Sequence, residues 1–529
     1  MGYGAVPGRG PVSRPATMGS RYRFGRFELD PAGRQLLANG QQVFLGARAF
    51  DVLVALVERN DRLVTKGELL ELAWPGLVVE ENNLQVQIST LRRVLGPQAI
   101  VTFPRRGYRL TLLPESVAVT AATSGPPTPS VAGAGEVLSI AVLPFINMSE
   151  DPESAYFAEG LAEDILTDLS KFAQLRVIAR NSSFAYRGKP VDIGQVARKL
   201  RARYLLEGSV RTAGNRVRVT SQLIDATTAA QVWADRFDRD LSDIFIVQDE
   251  ITRKIIEALK IKLAPEVKAR LTRRADVSME AYNLFLRGRE QALLLTKSTN
   301  AEARRLLSGA LAISPGFASA QACIAFTHVD DYVMGWSEDA EHSLRWGLDI
   351  AQEACARNDG DAFAHVILSE ALLWSRQHDK AMIEVQRGLA LEPSSALGHM
   401  QLAHVQYYLG HFEAALETLD AYMLLDPLYP EITLYFLAQA QEALGQFDAA
   451  VATLTLRLAR NTNSETSYAL LASCYGHLGR FEEGRAAWER ALSIAPDFSL
   501  DRRRKVLPYK DPAIFERRVE GLRKAGLAV

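Results

Sequence analysis

Apolar and polar residues follow two different periods along the first hundred or so positions. Apolar residues interspersed with polar ones between Phe24 and Leu29 predict short strands. Three segments with the spacing of a helix follow. The first begins at about Ala47, the second begins after a capping box at Thr65, and the third covers about 81–95. Two strand halves at 100–110 close this stretch. The pattern predicts an α+β domain made of a small sheet, three helices and a final hairpin.

A second pattern, typical of an α/β domain, begins near Leu138. The uninterrupted apolar run from Ser139 to Phe145 predicts a strand that is buried on both faces. Gly214 lies in a turn-forming insert between two alternating segments, which predicts a β-hairpin. The other predicted elements are helices at about 157–170, 191–200 and 246–262, and strands at Leu175–Ile178, Tyr204–Arg211, Arg216–Asp225 and about 230–236.

From about residue 280 onward the spacing is helical and repeats. Small residues recur every 34 or 35 positions, at Ala381, Ala415, Ala450 and Gly484. Turn glycines keep the same interval, at Gly410, Gly445 and Gly479. A helix–turn–helix unit of this length is the signature of a tetratricopeptide repeat. We expect about six units over 284–498, with an insertion near 332–341 and a concave face that binds a protein or peptide.

Composition and charge narrow the function classes. The net charge of the 529-residue chain is −1, so binding to nucleic acid needs a local basic patch. Cys323, Cys355 and Cys474 show no metal or redox spacing, and all eight histidines lie at or beyond His328. A histidine-based catalytic or zinc site is therefore excluded from the first 327 residues. The sequence has no run of about 18 apolar residues, so we expect no transmembrane helix.

The third predicted helix has one apolar and one polar face. Leu84, Ile88, Leu91 and Leu95 are spaced by four, three and four residues, which places them on one stripe against the other helices. From Asn82 to Pro114 there are five arginines and neither Asp nor Glu. A solvated amphipathic helix would explain the arginines alone. Together with the sheet and an arginine-tipped hairpin, however, the one-sided charge favours contact with a polyanion.

Three motifs resemble the OmpR/PhoB-type winged-helix family. They are Val86–Arg93 in the third helix, Trp74-Pro75 at the end of the second, and Gly107–Arg109 in the closing hairpin. The resemblance covers about residues 21–114. It implies that the third helix enters the major groove of DNA and that the hairpin wing reaches the neighbouring minor groove or the backbone.

The resemblance also implies roles for individual residues. Those expected to face bases are Asn82, Val86, Thr90 and Arg93. Those expected to contact phosphates are Gln87, Ser89 and Arg92, and those expected on the wing are Arg105 and Arg106. Family members often carry Arg where Ser89 and Thr90 stand, so relatives do not indicate the operator sequence.

The domain order resembles CadC- or HilA-like regulators, in which DNA binding precedes sensing. About 20 residues precede the winged helix, too few for a phospho-acceptor receiver domain, and a Pro-rich linker stands where CadC-like proteins place a membrane span. We therefore expect a one-component cytoplasmic regulator without membrane contact. The middle segment resembles TolB- or FlgO-like domains through Ile140–Phe145, Tyr204–Arg211 and Leu223–Ala226.

The predicted fold class is multidomain: a winged helix-turn-helix (α+β), then an α/β TolB-like domain, then an all-α tetratricopeptide solenoid. The linker is assigned where Gly125 and nearby prolines resist packing. The predicted boundaries are a disordered N-terminus at 1–20, the winged helix at 21–114, the flexible linker at 115–137, the TolB/FlgO-like domain at 138–265, the repeats at 280–498 and a C-terminal capping helix at 499–529.

We expect a sequence-specific DNA-binding transcriptional regulator whose TolB-like and repeat regions receive a signal or bind a partner. The expected partners are double-stranded DNA, a protein or peptide in the repeat groove, and RNA polymerase. Two alternatives stay open. One is a repeat-based scaffold whose winged helix docks protein, and the other is a signalling relative of repeat-linked nucleotide cyclases without their catalytic domain.

No catalytic residue, cofactor or metal is expected. A class III cyclase domain needs paired metal-binding carboxylates on a large α/β fold, and the first 115 residues are too few for it. Four acidic residues lie along one amphipathic helix and favour a solvated face over a metal site: Glu159, Glu163, Asp164 and Asp168. Three histidines fit no common zinc spacing and favour packing within the repeats: His399, His404 and His411.

Overall fold

The structure is a computed structural model of the chain. It describes residues 21–24, 27–30, 35–38, 41–42, 47–60, 62–73, 81–96, 99–103, 106–111, 115–117, 138–149, 154–189, 192–240, 243–261 and 277–527. The chain divides into two compact units, 1–132 and 133–529.

The first unit opens with an antiparallel sheet. In the described ranges its strand order is β4-β3-β2-β1-β8. The strands are β1 (Arg21–Phe24), β2 (Phe27–Asp30), β3 (Gln35–Ala38), β4 (Gln41–Gln42) and β8 (Glu115–Val117). The sequence assigns residue 115 to the linker, and this is wrong, because Glu115–Val117 pair with β1 and complete its free edge. The predicted N-terminus at 1–20 and most of the predicted linker, 118–137, lie outside the described residues.

Three helices pack on this sheet, and their positions confirm the sequence pattern. They are α1 (Ala47–Glu58), α2 (Lys66–Ala73) and α3 (Glu81–Leu95). The predicted capping residue Thr65 accepts a hydrogen bond from the backbone N–H of Glu68 at 3.3 Å through its Oγ1. Apolar side chains from all three helices are fully buried in one core with the sheet, including Leu53, Leu69 and Leu84.

A second small sheet completes this unit. Its order is β5-β7-β6, formed in the described residues by β5 (Val64–Thr65), β6 (Ile100–Phe103) and β7 (Gly107–Leu110). The two long strands make the predicted hairpin. A Cβ atom on Gly107 would lie 2.0 Å from the carbonyl oxygen of Val64, so β7 approaches β5 as closely as only glycine permits.

A mixed sheet begins the second unit. Its strands are β9 (Leu138–Val142), β10 (Ile146–Asn147), β11 (Leu175–Val177), β12 (Tyr204–Ala213), β13 (Arg216–Asp225) and β14 (Ala230–Asp240). In the described residues the order is β11-β9-β12-β13-β14, with β10 beside β12. The predicted hairpin is confirmed, since β12 and β13 pair over their full length and Gly214 turns between them at a φ of +58°. β14 is longer than predicted.

Among the described residues of this part of the chain, four helices accompany the sheet: α4 (Ser154–Ser170), α5 (Arg180–Phe184), α6 (Ile193–Leu200) and α7 (Ile244–Ala258). The expectation of a solvated acidic face on α4 is wrong. The Glu163 carboxylate forms ion pairs with Arg180 at 2.8 Å and with Arg289 at 2.6 Å. Asp164 accepts a hydrogen bond from the hydroxyl of Tyr282. The face is covered because the first helix of the solenoid packs against it.

Within residues 277–527, six helix pairs form the solenoid. From repeat 1 to repeat 6 they are Met279–Leu293 with Lys297–Ile313, Ala318–Val333 with Ala340–Arg357, Ala362–Trp374 with His378–Leu391, Ala396–Leu409 with Phe412–Leu425, Ile432–Ala443 with Phe447–Arg460, and Glu465–His477 with Phe481–Ile494. The insertion predicted near 332–341 is the long turn inside repeat 2. Small residues such as Ala381 and Ala415 are fully buried between paired helices, as their period predicts.

Repeat 4 contacts the middle domain through a buried carboxylate. Asp426, 2% exposed, accepts hydrogen bonds from the side chains of Ser182, Asn181 and Tyr422. Just before it, the carbonyl oxygen of Leu425 accepts the backbone N–H of Ala179 at 2.7 Å. Buried polar groups of this kind fix one geometry, because each donor would be left unpaired if the two parts slid.

Two helices follow the repeats, Leu500–Val506 and Ala513–Lys524, where the sequence predicts a single cap. The second runs back toward the first helices of repeats 4 to 6 instead of only covering the end. In the portion of the chain that the structure describes, no helix has the length and apolar content needed to cross a membrane. The same described residues contain no group of His, Cys, Asp or Glu that could hold a metal ion.

Candidate nucleic-acid interface

Helix α3 buries the stripe that its sequence predicts. Leu84, Ile88 and Leu91 are buried in the core of the first unit. The positions between them face outward to different degrees: Ser89 is exposed, while Gln87 and Thr90 are half-buried. The Ser89 hydroxyl donates to the carbonyl oxygen of Gln85 at 2.9 Å. The polar face of α3 is therefore accessible along its middle two turns.

Arg92 joins α3 to the hairpin. Its guanidinium donates to the carbonyl oxygen of Ile100 from both Nε and Nη2, and Nη2 also donates to Thr102 Oγ1 at 2.6 Å. Ile100 and Thr102 both lie on β6. The resemblance implies a phosphate contact for Arg92, which stays a prediction, whereas these bonds give the side chain a positioning role within the domain.

A described residue in the turn of the hairpin, Arg106, presents a basic side chain. Arg106 is exposed, and its backbone N–H donates to the carbonyl oxygen of Phe103 at 3.0 Å. Its own carbonyl oxygen accepts from the N–H of Lys66 at the start of α2. The turn is thus held to the helical core on one side while the Arg106 side chain faces solvent.

Arg109 is an exposed basic residue to which the sequence analysis gave no role. It lies on β7 between buried Tyr108 and Leu110 and pairs across the hairpin with exposed Val101. The strict alternation of Tyr108, Arg109 and Leu110 is the signal that could have placed it on the outer face. It adds a second guanidinium to the surface that carries Arg106.

Several predicted site residues are not placed. Asn82, Val86 and Arg93 lie on the α3 backbone, but their side chains are outside the described set. Arg105 and the Trp74-Pro75 motif are outside the described residues altogether. Their assigned roles stay predictions.

One acidic residue of α2 is already paired with an arginine. Glu68, in the first turn of α2, accepts a hydrogen bond from Arg62, and this bond is the main reason that its pKa lies below the usual value. A carboxylate neutralised by its own arginine opposes a phosphate less than a free one would. The stretch from Asn82 to Pro114 therefore keeps its uniformly basic character.

Three segments of the chain match protein families. Residues 40–110 match the family "Transcriptional regulatory protein, C terminal", residues 136–254 match "HilA/YgeH-like transcriptional regulator, second domain", and residues 465–498 match "Tetratricopeptide repeat". The middle segment thus corresponds to a HilA-like second domain. Its resemblance to TolB or FlgO stays a prediction.

Individual relatives cover different shares of the chain. A Rhizobium meliloti protein named "Putative adenylate cyclase 3" is 49% identical over 243 residues, 46% of this chain and 41% of its own length. The chain therefore spans less than half of that relative. The transcriptional regulator HilA of Salmonella typhi is 22% identical over 414 residues, 77% of this chain and 71% of its own length.

Among solved structures, the DNA-binding domain of E. coli CadC matches with 27% identity and a TM-score of 0.18. That match covers 18% of this chain and 97% of the CadC domain. From the family matches, the chain carries an OmpR/PhoB-type domain, a HilA-like second domain and a C-terminal tetratricopeptide repeat.

Proposed function

We propose that the chain is a sequence-specific DNA-binding transcriptional regulator, with α3 as its recognition helix and the β6–β7 hairpin as its wing. The observation that carries this is the one-sided charge from Asn82 to Pro114, five arginines without an acid, on a helix and a hairpin joined through Arg92. Phosphates attract such a surface irrespective of sequence, and polar side chains on α3 supply base contacts.

The roles follow the predicted assignment. Asn82, Val86, Thr90 and Arg93 contact base edges in the major groove, and Gln87, Ser89 and Arg92 contact phosphates. Arg105 and Arg106 form the wing, and we add exposed Arg109 to it. RNA polymerase stays a predicted partner of the bound regulator.

Genome-wide mapping of bound DNA tests this proposal first, because it identifies the operator. Affinity for that operator is then measured against salt concentration. Removing an arginine that neutralises one phosphate should make the slope of log K against log salt shallower by about 0.9. We expect Arg93→Ala with Arg105→Ala to weaken binding, through the lost base contact of Arg93 and the lost wing contact of Arg105, and we expect the loss of Arg105 to flatten the slope. Arg23→Ala is the control, because Arg23 pairs with Glu28 on the N-terminal sheet.

Two outcomes would contradict the proposal. If mapping enriches no site and purified protein binds DNA with a shallow salt slope, the winged helix docks protein and the scaffold alternative holds. If the double arginine variant binds the operator as tightly as the parent, the assigned docking surface is wrong.

We further propose that the second unit receives the regulatory signal. The 243 residues shared with the Rhizobium protein exceed the 132 residues of the first unit, so at least 111 of them fall in the second. The relative's name refers to a cyclase. This supports the proposal that the shared region is a module that can be joined to different output domains. An open cleft of about 1610 Å³ between the middle domain and repeats 1 to 4 supports a binding role for this unit.

A further inference from the structure

The C-terminal residues 505–527 run across equivalent positions of successive repeats. Tyr408 accepts the backbone N–H of Lys510 through its carbonyl oxygen at 2.9 Å, in the last turn of the first helix of repeat 4. Glu442, in the last turn of the first helix of repeat 5, binds Arg518. In repeat 6 the equivalent residue is Gly476, where a Cβ would lie 1.8 Å from the carbonyl oxygen of Gly521. We call the surface made by these last turns in repeats 3 to 6 the groove.

Repeat 3 binds the start of this segment through a residue that differs from the one at the same position in repeats 4 to 6. In repeats 4, 5 and 6 the turn between the helices holds Gly410, Gly445 and Gly479, each at positive φ. Repeat 3 has Arg376 there, at a φ of +59°, which side chains rarely adopt. Leu295 also shows positive φ in the turn of repeat 1, so the conformation alone does not single out Arg376.

The side chain of Arg376 is what distinguishes it. Its guanidinium donates to three backbone carbonyl oxygens of the segment: Lys505 at 2.8 Å, Leu507 at 3.1 Å and Tyr509 at 3.4 Å. The Lys505 carbonyl belongs to the last turn of the helix Leu500–Val506, and those of Leu507 and Tyr509 belong to the extended stretch that follows this helix. These hydrogen bonds of Arg376 therefore go to the backbone of the segment and not to its side chains.

Repeat 3 differs from repeats 4 to 6 at a second position, two residues later. Repeats 4, 5 and 6 place Phe412, Phe447 and Phe481 at the start of the second helix, and repeat 3 places His378 there. His378 is buried, and its Nε2 donates to the carbonyl oxygen of Pro508 at 2.6 Å. Both departures of repeat 3 thus contact the same stretch of the C-terminal segment.

A helix anchors the far end of the segment. Arg518 donates to both carboxylate oxygens of Glu442, and both side chains are buried. Arg518 also donates to the hydroxyl of Tyr407, which lies 3.1 Å from the hydroxyl of Tyr509. The segment thus combines a short extended stretch, bound through its backbone carbonyls, with a helix that buries Phe515 and Leu522 as well as Arg518 against the repeats. This combination resembles a bound peptide more than a further repeat.

We propose that residues 505–527 are a tethered ligand of the groove, and that a partner peptide uses the groove by replacing them. The replacing peptide needs an extended stretch with accessible carbonyls, followed by a helix with an arginine for Glu442 and a small residue three positions later, where Gly521 packs on Gly476. The proposal does not depend on DNA binding by the first unit.

The test uses the full chain and a fluorescent synthetic peptide of residues 505–527. In the parent the tethered copy outcompetes the peptide, so binding should be weak. Arg518→Glu places a like charge opposite Glu442 and should release the tethered segment, which tightens peptide binding at least tenfold. Adding Glu442→Arg to that variant restores the tethered pair and opposes Arg518 of the peptide, so peptide binding should be abolished again.

A folded Arg518→Glu chain that does not bind the peptide would overturn the proposal, because the segment would then be a fixed part of the solenoid. If that variant does not fold, Arg376→Gly provides a second test, because glycine is the residue that repeats 4 to 6 have at this position of the turn. Hydrogen exchange should then be faster across 505–527 than in the first helices of repeats 5 and 6. Equal exchange rates in residues 505–527 and in the first helices of repeats 5 and 6 would also overturn the proposal.

Discussion

Arg92 donates two hydrogen bonds to one carbonyl oxygen, that of Ile100, from Nη2 at 2.8 Å and from Nε at 3.1 Å. The donor lies on α3 and the acceptor on β6, so the bonds couple the proposed recognition helix to the proposed wing. A protein that contacts a major groove and its neighbour must hold these two elements at a fixed spacing. Arg92 meets that need from inside the domain.

Arg92→Ala should therefore destabilise the first unit. Loss of the guanidinium leaves the Ile100 carbonyl without these charged donors, and hydrogen bonds to charged groups contribute about 1.5–3 kcal/mol. We expect the free energy of unfolding, measured by chemical denaturation, to fall by about that amount. Arg23→Ala, which removes an exposed pair with Glu28, should cost about 1 kcal/mol or less. If Arg92→Ala instead weakens DNA binding with no change in stability, Arg92 acts only on phosphate.

Gly107→Ala should disrupt the wing. The added methyl group would meet the Val64 carbonyl oxygen at 2.0 Å and the Thr65 Cα at 2.8 Å, and both belong to backbone that cannot rotate away. We expect a loss of at least about 2 kcal/mol in thermal or chemical unfolding. Gly67→Ala is the matched control, because Gly67 lies on α2 with no heavy atom within 4 Å of an added Cβ, and helical alanine is favoured over glycine. Similar effects of both substitutions would show that the close approach at Gly107 is not tight.

Local patterns predicted most of the elements because each depends on nearby residues. The stripe from Leu84 to Leu95 determined which face of α3 is buried, and the period of Ala381 and Ala415 determined the helix pairs. The hairpin around Gly214 followed from alternation alone. In the candidate interface, exposure of Ser89 and Arg106 agrees with the predicted polar face, although their contacts with DNA stay predictions.

Contacts between distant segments could not be predicted from those patterns. The acids of α4 look solvated in sequence because their partners, Tyr282 and Arg289, lie more than a hundred residues away. Arg92 looks like a free surface arginine because its acceptor on β6 is set by tertiary packing. The C-terminal segment returns across the repeats and contacts Arg376, whose sequence signal is the absence of a turn glycine.

Asp426→Ala should uncouple the middle domain from the solenoid. The carboxylate accepts from Ser182 and Asn181 of the middle domain and from Tyr422 of the preceding helix, and its loss removes the acceptor of two buried hydroxyls, those of Ser182 and Tyr422. We expect thermal unfolding of the second unit to change from one transition to two, with the middle domain less stable by about 1–3 kcal/mol. Asp420→Ala, on the exposed side of the same helix, should keep a single transition. A single transition in both variants would mean that the apolar contacts suffice for coupling.

Asp330→Asn should change how the stability of the solenoid depends on pH. Asp330 is buried in repeat 2, and burial, followed by the charges of Glu370 and Asp331, raises its pKa to about 8. Among the described residues its Oδ2 atom has no hydrogen-bond partner. The unfolded chain keeps the ordinary value near 4, so between about pH 4 and 8 the folded state binds the extra proton. Stability is therefore full below the unfolded pKa and falls as pH rises through the folded one.

Asparagine resembles the neutral acid and does not ionise, so the variant should lose this part of the pH dependence. At pH 9 we expect it to be more stable than the parent by at least about 1 kcal/mol, since a tenfold change in a protonation equilibrium corresponds to about 1.4 kcal/mol. At about pH 4, near the unfolded pKa, the two proteins should be similar. Denaturant unfolding at both pH values measures the difference, with exposed Asp349→Asn as the control that should show none. Because Glu370 also has a raised pKa, about 7, some pH dependence should survive in the variant, and a slope identical to the parent's would show that Asp330 is ionised in the folded protein.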